Sequence, residues 1–283
     1  MTPPGAERSD AASIYFKKVA FAAEISYNRH FPIDRAGRFM SEISRDSLYA
    51  EPHSTIGDFV FDENVANVFD DMIRRSVPGY GSIINMLGVL TGQYAQANTV
   101  CYDLGCSLGA GTLAMRRFVV QPGTRIIAVD NSPAMVNKCR QNIVRSNLTA
   151  PVEILCEDIT RIPLEPASVV AINFTLQFVP PEERQGLIQG VNDALVPGGI
   201  LVISEKLAFD DPAEEQAQVE LHHAFKKLNG YSDMEIAQKR TALENVLIPD
   251  TEQTHRERLK TAGFAHHHVW FRCFNFASMI AYK

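Results

Sequence analysis

Asp103, Gly105, Ser107 and Gly109 alternate through the string Asp103-Leu104-Gly105-Cys106-Ser107-Leu108-Gly109, which brings a carboxylate and a stretch of nearly bare backbone to one turn. Glycine lets the main chain approach a ligand closely because no Cβ intervenes, and Ser107, with the neighbouring Cys106, adds a hydroxyl at that approach. Asp130 follows the next apolar run, where a carboxylate can accept both hydroxyl protons of a ribose, with Asn131 beside it; its other use is to cap a helix starting near Ser132. Asp158, in Cys156-Glu157-Asp158-Ile159, can accept from an adenine amino group with Ile159 in apolar contact, or it belongs to a solvated turn. Asn173 ends another apolar run, where its amide can position a ligand or serve the turn alone. Tyr80, after Pro78-Gly79, is either a core aromatic or one that closes over a ligand. Arg240 has Glu235 and Glu244 near helical spacing and, from spacing alone, reads as a surface arginine paired with one of them.

The elements that must hold these residues are strands alternating with helices. Apolar, β-branched runs at residues 100–104, 125–130, 152–155, 169–174 and 200–204 alternate with helical segments, the pattern of a parallel sheet covered on both faces. In such sheets ligands bind at the carboxyl ends of the strands, where the residues above fall. Two helices joined at Val77-Pro78-Gly79 precede the sheet. Ser132 and Pro133 suit the cap and first position of a helix, and Pro197-Gly198-Gly199 is a structural turn. A helical interlude over residues 212–229 and 232–246 interrupts the rhythm; a helix from Thr251 to Gly263 and strand-like runs around Asn275 close the chain as a hairpin. Residues 1–57, with one helical stretch near 11–25, read as an N-terminal extension and 58–283 as the catalytic domain.

Composition removes several classes of function. Lys and Arg total 27 against 33 Asp and Glu, a formal charge of −6, which argues against direct nucleic-acid binding. No apolar stretch is long enough for a membrane span, since residues 169–179 are broken by Asn173, Thr175 and Gln177. The N-terminus resembles neither a secretory nor a transit peptide, and the expectation is cytoplasmic. Five cysteines without a CxxC pair fit reduced thiols. His266, His267 and His268 alternate faces in a strand and cannot converge on one ion, and His222-His223 lacks a partner pattern; no metal is expected.

In sequence order, the strand-end residues resemble the S-adenosylmethionine site of class I methyltransferases, with Ser107 in place of the middle glycine. A nicotinamide site fits less well because the third glycine of G-x-G-x-x-G is missing. Enzymes that methylate planar amines carry two prolines and an aromatic after the strand-four Asn or Asp; Asn173-Phe174-Thr175-Leu176-Gln177-Phe178 has no proline, which disfavours that reaction.

Phe61-Asp62-Glu63, Ser76 to Tyr80, Asp103 to Gly109, Asp130 to Met135, Asn173 to Phe178, Ser204-Glu205-Lys206, Asn229-Gly230-Tyr231, Gln238-Lys239-Arg240, Glu244-Asn245 and Phe274-Asn275-Phe276 together resemble the carboxy-S-adenosyl-L-methionine synthase family. The resemblance covers residues 57–283 and implies a Rossmann-like class I methyltransferase fold: an α/β architecture with a mostly parallel seven-stranded sheet, helices on both faces and an inserted helical lid. It implies that S-adenosyl-L-methionine is a substrate and prephenate the carboxyl donor, giving carboxy-S-adenosyl-L-methionine and phenylpyruvate. A separate tRNA carboxymethyltransferase then uses the product on wobble uridine. By the same resemblance, the contacts are Tyr80, Gly105, Cys106, Ser107, Asp130, Asn131, Asp158, Ile159 and Asn173, with Arg240 facing the transferred carboxylate, in a homodimer. Two alternatives stay open: a methyltransferase of a small acidic metabolite, and a non-catalytic S-adenosylmethionine-binding partner of a tRNA-modifying enzyme.

Overall fold

The apolar runs form strands because both of their faces find cover. β1 (Val100–Leu104), β2 (Arg125–Asp130), β3 (Val152–Cys156), β4 (Ala167–Asn173) and β5 (Leu195–Ala208) pair in parallel in the order β3-β2-β1-β4-β5. In the computed structural model, which describes residues 44–283, they form the centre of a unit spanning Ser44–Lys283. The helix expected near residues 11–25 lies outside the described residues. Along β1 the side chains alternate between two clusters: Tyr102 and Leu104 pack with Val129, Ile172 and Ile188, whereas Cys101 packs with Ile126, Val169 and Leu87. Burial on both sides is why β1, β2 and β4 lack a polar face, while β3, at the edge, exposes Glu153.

Ahead of the sheet, α1 (Glu63–Ser76) is capped by Asp62, whose carboxylate accepts from Val65 N at 2.9 Å. Gly79 then turns the chain at φ 77° into α2 (Tyr80–Tyr94), and a Cβ there would lie 2.2 Å from Phe271. Between the strands run α3 (Ala110–Phe118), α4 (Pro133–Arg145) and α5 (Pro181–Ala194); Ser132 caps α4 through Met135 N, and Pro133 occupies its first turn. After β5 come α6 (Pro212–Leu228) and α7 (Asp233–Leu243), the inserted pair, and then β6 (Asp250–Thr251) and α8 (Glu252–Thr261). β7 (His266–Cys273) and β8 (Phe276–Tyr282) make the closing hairpin, with β8 antiparallel between β5 and β7. The path β3-β2-β1-β4-β5-β8-β7 is the expected mostly parallel sheet, and the short β6 pairs with β5 off that path. β5 outruns the expected 200–204 at both ends. It begins at Leu195, paired with Ala167, and takes in the expected turn at 197–199 across a register shift. At its other end β8 pairs with it as far as Lys206 and β6 with Leu207 and Ala208. Among the described residues no helix is long and apolar enough to cross a membrane.

Composition suggests a junction at residue 57, yet the contacts of the unit begin at Ser44. Leu48, Tyr49 and Ile56 pack against the cluster of Phe59, Val65 and Met135. The Gln238 amide on α7 donates to the carbonyls of Tyr49 and Glu51 and accepts from His53 N. Asp46, 2% exposed, accepts the Tyr231 hydroxyl and lies 3.5 Å from the Lys239 ammonium. Burial lowers the Lys239 pKa to about 8, and Asp46 opposes that shift. Removing one partner of a buried pair leaves an uncompensated charge. Asp46→Ala should therefore destabilise the fold by about 3 to 5 kcal/mol in chemical denaturation, and adding Lys239→Met should recover much of the loss. Equal stability of Asp46→Ala and the parent protein would rule out this role.

Candidate active site

The carboxyl ends of β1 to β4 open on a cavity of about 340 Å³. Gly105, Cys106 and Ser107 line it from the end of β1, and Asp130 and Asn131 from the end of β2. Asp158 and Ile159 follow β3, Asn173 ends β4, and Tyr80 enters from the start of α2. All the expected strand-end residues thus meet in one place. Tyr80 is a core aromatic that also borders the cavity: it is 8% exposed, and its ring centroid is 6.0 Å from that of Phe174.

Local bonds explain the shape of this ledge. The amides of Gly105 and Cys106 both donate to Val129 O, folding the loop back over β2. Gly105, at φ 82°, lies so near Thr175 that a Cβ would come within 2.1 Å of its Oγ1. Ser107 adopts φ 49°, the left-handed conformation that glycine adopts without strain, so the departure from the glycine pattern carries backbone strain at the site. Its amide donates to Asp130 Oδ2 at 2.8 Å, and Ser132 N donates to Asp130 Oδ1 at 2.9 Å. Asp130 therefore sets the loop and the start of α4 while keeping a free lone pair on each oxygen. Burial raises its pKa, and the two amides pull it back.

The cavity suits an adenosyl compound on several counts. Asp158 Oδ1 is bonded to the amide and hydroxyl of Thr160, leaving Oδ2, which lies 3.7 Å from Arg161 Nε, at the cavity rim. Asn173 Oδ1 lies 2.7 Å from Ser204 Oγ, and its buried Nδ2 has no protein partner. A buried amide donor left unpaired is costly unless a ligand accepts from it. Gly111 lets the first turn of α3 lie against Asp103, since a Cβ there would fall 2.8 Å from Asp103 Oδ2. Asp103 lies at the base of the cavity: buried, it accepts the Thr112 hydroxyl at 2.6 Å, and burial raises its pKa to about 6.

Arg240 is elsewhere, on a second cavity of about 310 Å³. The two cavities share a wall of Phe61, Phe69, Ile73, Phe174 and Phe178. Arg240 is exposed, as the spacing reading has it, but the pairing that reading expects does not form: Glu235 is taken by Ser232, whose side chain and backbone it meets in a capping box, and Arg240 has no ion pair among the described residues. Lys206, His223, Lys226 and the Asp46-paired Lys239 line the same cavity. Sequence reasoning gave the three lysines no role and set His223 aside, although Lys206 lies two residues past the run 200–204, where the strand-end rule that found Asp130 applies. His222, also set aside, reaches Ser76 O at 2.8 Å, and burial holds its imidazole neutral. Among the described residues no group of His, Cys, Asp and Glu is arranged to hold a metal ion.

Glu205 was also missed. Wholly buried, its carboxylate accepts from the amides of Thr175, Leu176 and Gln177 and so fixes the turn that sets Phe178 between the cavities. Burial pushes its pKa up to about 8 against those amides and Arg184. The folded state then holds a proton that the unfolded chain releases near its ordinary value of 4.5, so stability falls as pH rises between about 4.5 and about 8. Melting temperatures of Glu205→Gln should fall less across that window than those of the parent protein; parallel curves would refute the assignment. The difference between the two proteins isolates Glu205 from Asp103 and the histidines.

Fold and site together define an S-adenosylmethionine-binding protein of the class I methyltransferase type. Residues 101–199 match the family model described as a methyltransferase domain. The chain is 57% identical over 239 residues to the carboxy-S-adenosyl-L-methionine synthase of Citrifermentans bemidjiense, covering 84% of this chain and 98% of that protein. It is 53% identical to that of Erwinia tasmaniensis over 240 residues, covering 85% and 98%. The chain belongs to the carboxy-S-adenosyl-L-methionine synthase family. Solved structures share the fold at low identity: an O-methyltransferase family protein from Burkholderia thailandensis has a TM-score of 0.55 at 19% identity, covering 79% of this chain and 60% of that one. Human N-acetylserotonin methyltransferase in complex with SAM has 0.51 at 14%, covering 95% and 67%.

Proposed function

We propose that the protein converts S-adenosyl-L-methionine and prephenate to carboxy-S-adenosyl-L-methionine and phenylpyruvate. The observation that carries the reading is the unpaired Arg240 on a cavity sharing an aromatic wall with the strand-end ledge. A planar guanidinium can grip a carboxylate through two parallel hydrogen bonds, and a methyl transfer has no need of one there. Prephenate loses CO2 and hydroxide as its ring becomes aromatic; the hydroxide takes a proton from the acidic sulfonium methyl, and the methyl carbon bonds to the CO2, so atoms and charge balance. The protein's part is to hold the sulfonium compound on the ledge, hold the carboxylate at Arg240, and keep water from both. α6 and α7, which line the second cavity, act as the lid. This chemistry needs no side-chain base.

The product then serves a separate enzyme that carboxymethylates the wobble uridine of tRNA; the charge of −6 supports a chain that does not itself hold RNA. Family resemblance supports a cytoplasmic homodimer, which light scattering would measure as twice the chain mass. Incubation with S-adenosylmethionine and prephenate should give a nucleoside product heavier by one carboxyl group. Demethylated nucleoside as the sole product would overturn the reading in favour of a methyltransferase.

A further inference from the structure

The second cavity holds more positive charge than one transferred carboxylate requires. Lys206 enters from the end of β5, Lys226 from α6 and Arg240 from α7, three elements far apart in sequence. Lys239 is matched by Asp46, but Lys206, Lys226 and Arg240 have no ion pair among the described residues. Two acids share the cavity. Glu215 accepts from Phe209 N and acts on Lys206 only through space, and Glu244 is exposed. Burial, then the charges of Lys239, Lys206 and Arg240, lowers the Lys226 pKa to about 7. Lys206 and Lys226 are half-buried and Arg240 is exposed, and cations gathered around one cavity repel one another unless an anion lies among them. The opposite side of the cavity is apolar, with Phe59, Met72, Val77 and Phe276, and can hold a six-membered ring.

We infer that Lys206 and Lys226 form a second anion subsite, which holds the carboxylate the carboxyl donor keeps while Arg240 holds the one it gives up. The inference rests on the proposed reaction, in which the donor is a dicarboxylate, and adds how it is selected. A dianion whose two carboxylates leave one ring carbon, the second through a short keto arm, can meet Arg240 with one and the lysines with the other while its ring lies on the apolar lining. A monocarboxylate leaves one cation group unmatched. The same subsite retains the carboxylate of the ring-bearing product.

Lys206→Met and Lys226→Met, made in the full chain, test this. The KM for prephenate should rise about 10- to 100-fold in each, the value of one charge-assisted hydrogen bond. Calorimetric affinity for S-adenosylmethionine should stay within about twofold, which also reports that the variant is folded. Phenylpyruvate should bind more weakly by a similar factor in the presence of S-adenosylmethionine, and Lys226→Arg should recover much of the loss. If KM and phenylpyruvate affinity stay within about twofold of the parent in both variants, the subsite is overturned while the reaction stands. If the parent protein makes no carboxylated product from prephenate, the reaction is overturned, and the phenylpyruvate titration alone decides the subsite. Should Lys226→Met not fold, Lys226→Gln takes its place in the same measurements.

Discussion

Arg240→Ala is expected to bind S-adenosylmethionine within about twofold of the parent protein while carboxylated product falls by about 100-fold or more. Each charge-assisted hydrogen bond is worth about 1.5 to 3 kcal/mol, so losing two removes at least about 3 kcal/mol from the carboxylate's hold. Spread over the barrier, that is a factor of about 100 or more. Cofactor affinity should survive because Arg240 does not border the strand-end cavity. Arg240→Lys keeps the charge but not the fork, and should recover only part of the rate. Mass spectrometry of the nucleoside product and titration calorimetry check the two halves separately; undiminished product from Arg240→Ala would remove the arginine from the mechanism.

Asp130→Ala should do the reverse. The carboxylate holds Ser107 N and Ser132 N as well as facing the cavity, so its removal frees the loop and deletes the hydroxyl acceptor together. Affinity for S-adenosylmethionine should weaken about 100-fold or more, two charge-assisted contacts being lost. Asp130→Asn, which keeps one carbonyl acceptor, should fall between. Product formation by Asp130→Ala should recover at saturating S-adenosylmethionine, whereas that of Arg240→Ala should not. Kinetics over both substrates distinguish the two, and an unchanged S-adenosylmethionine dependence in Asp130→Ala would refute the ribose assignment.

The ledge was legible in the sequence because each βα unit is local. A strand, the residue at its end and the cap of the next helix lie within a few positions, so Asp103 to Gly109, Asp130 with Ser132, and Asn173 could be placed by counting. The hairpin around Asn275 was legible for the same reason. The second cavity was not, because its cations come from β5, α6 and α7, and nothing in the spacing of Lys206 and Lys226 says that they face each other. Arg240 is exposed as its spacing suggests, but the pairing with Glu235 does not form, because Glu235 meets the backbone of its own helix start instead of a partner further along. Residues 44–57 show no sustained period in the sequence, because their partners, Gln238 and Lys239, lie almost two hundred positions further on.

The bond between Asp46 and Tyr231 joins residues 185 positions apart, and this orders the assembly of the molecule. A chain made from its N-terminus carries Asp46 long before α7 exists, and contacts of such separation form late because their loop must close first. The neighbouring βα units can fold as they emerge. On the growing polypeptide the nucleoside shelf therefore precedes the carboxylate grip, which is complete only once nearly all of the chain has left the ribosome.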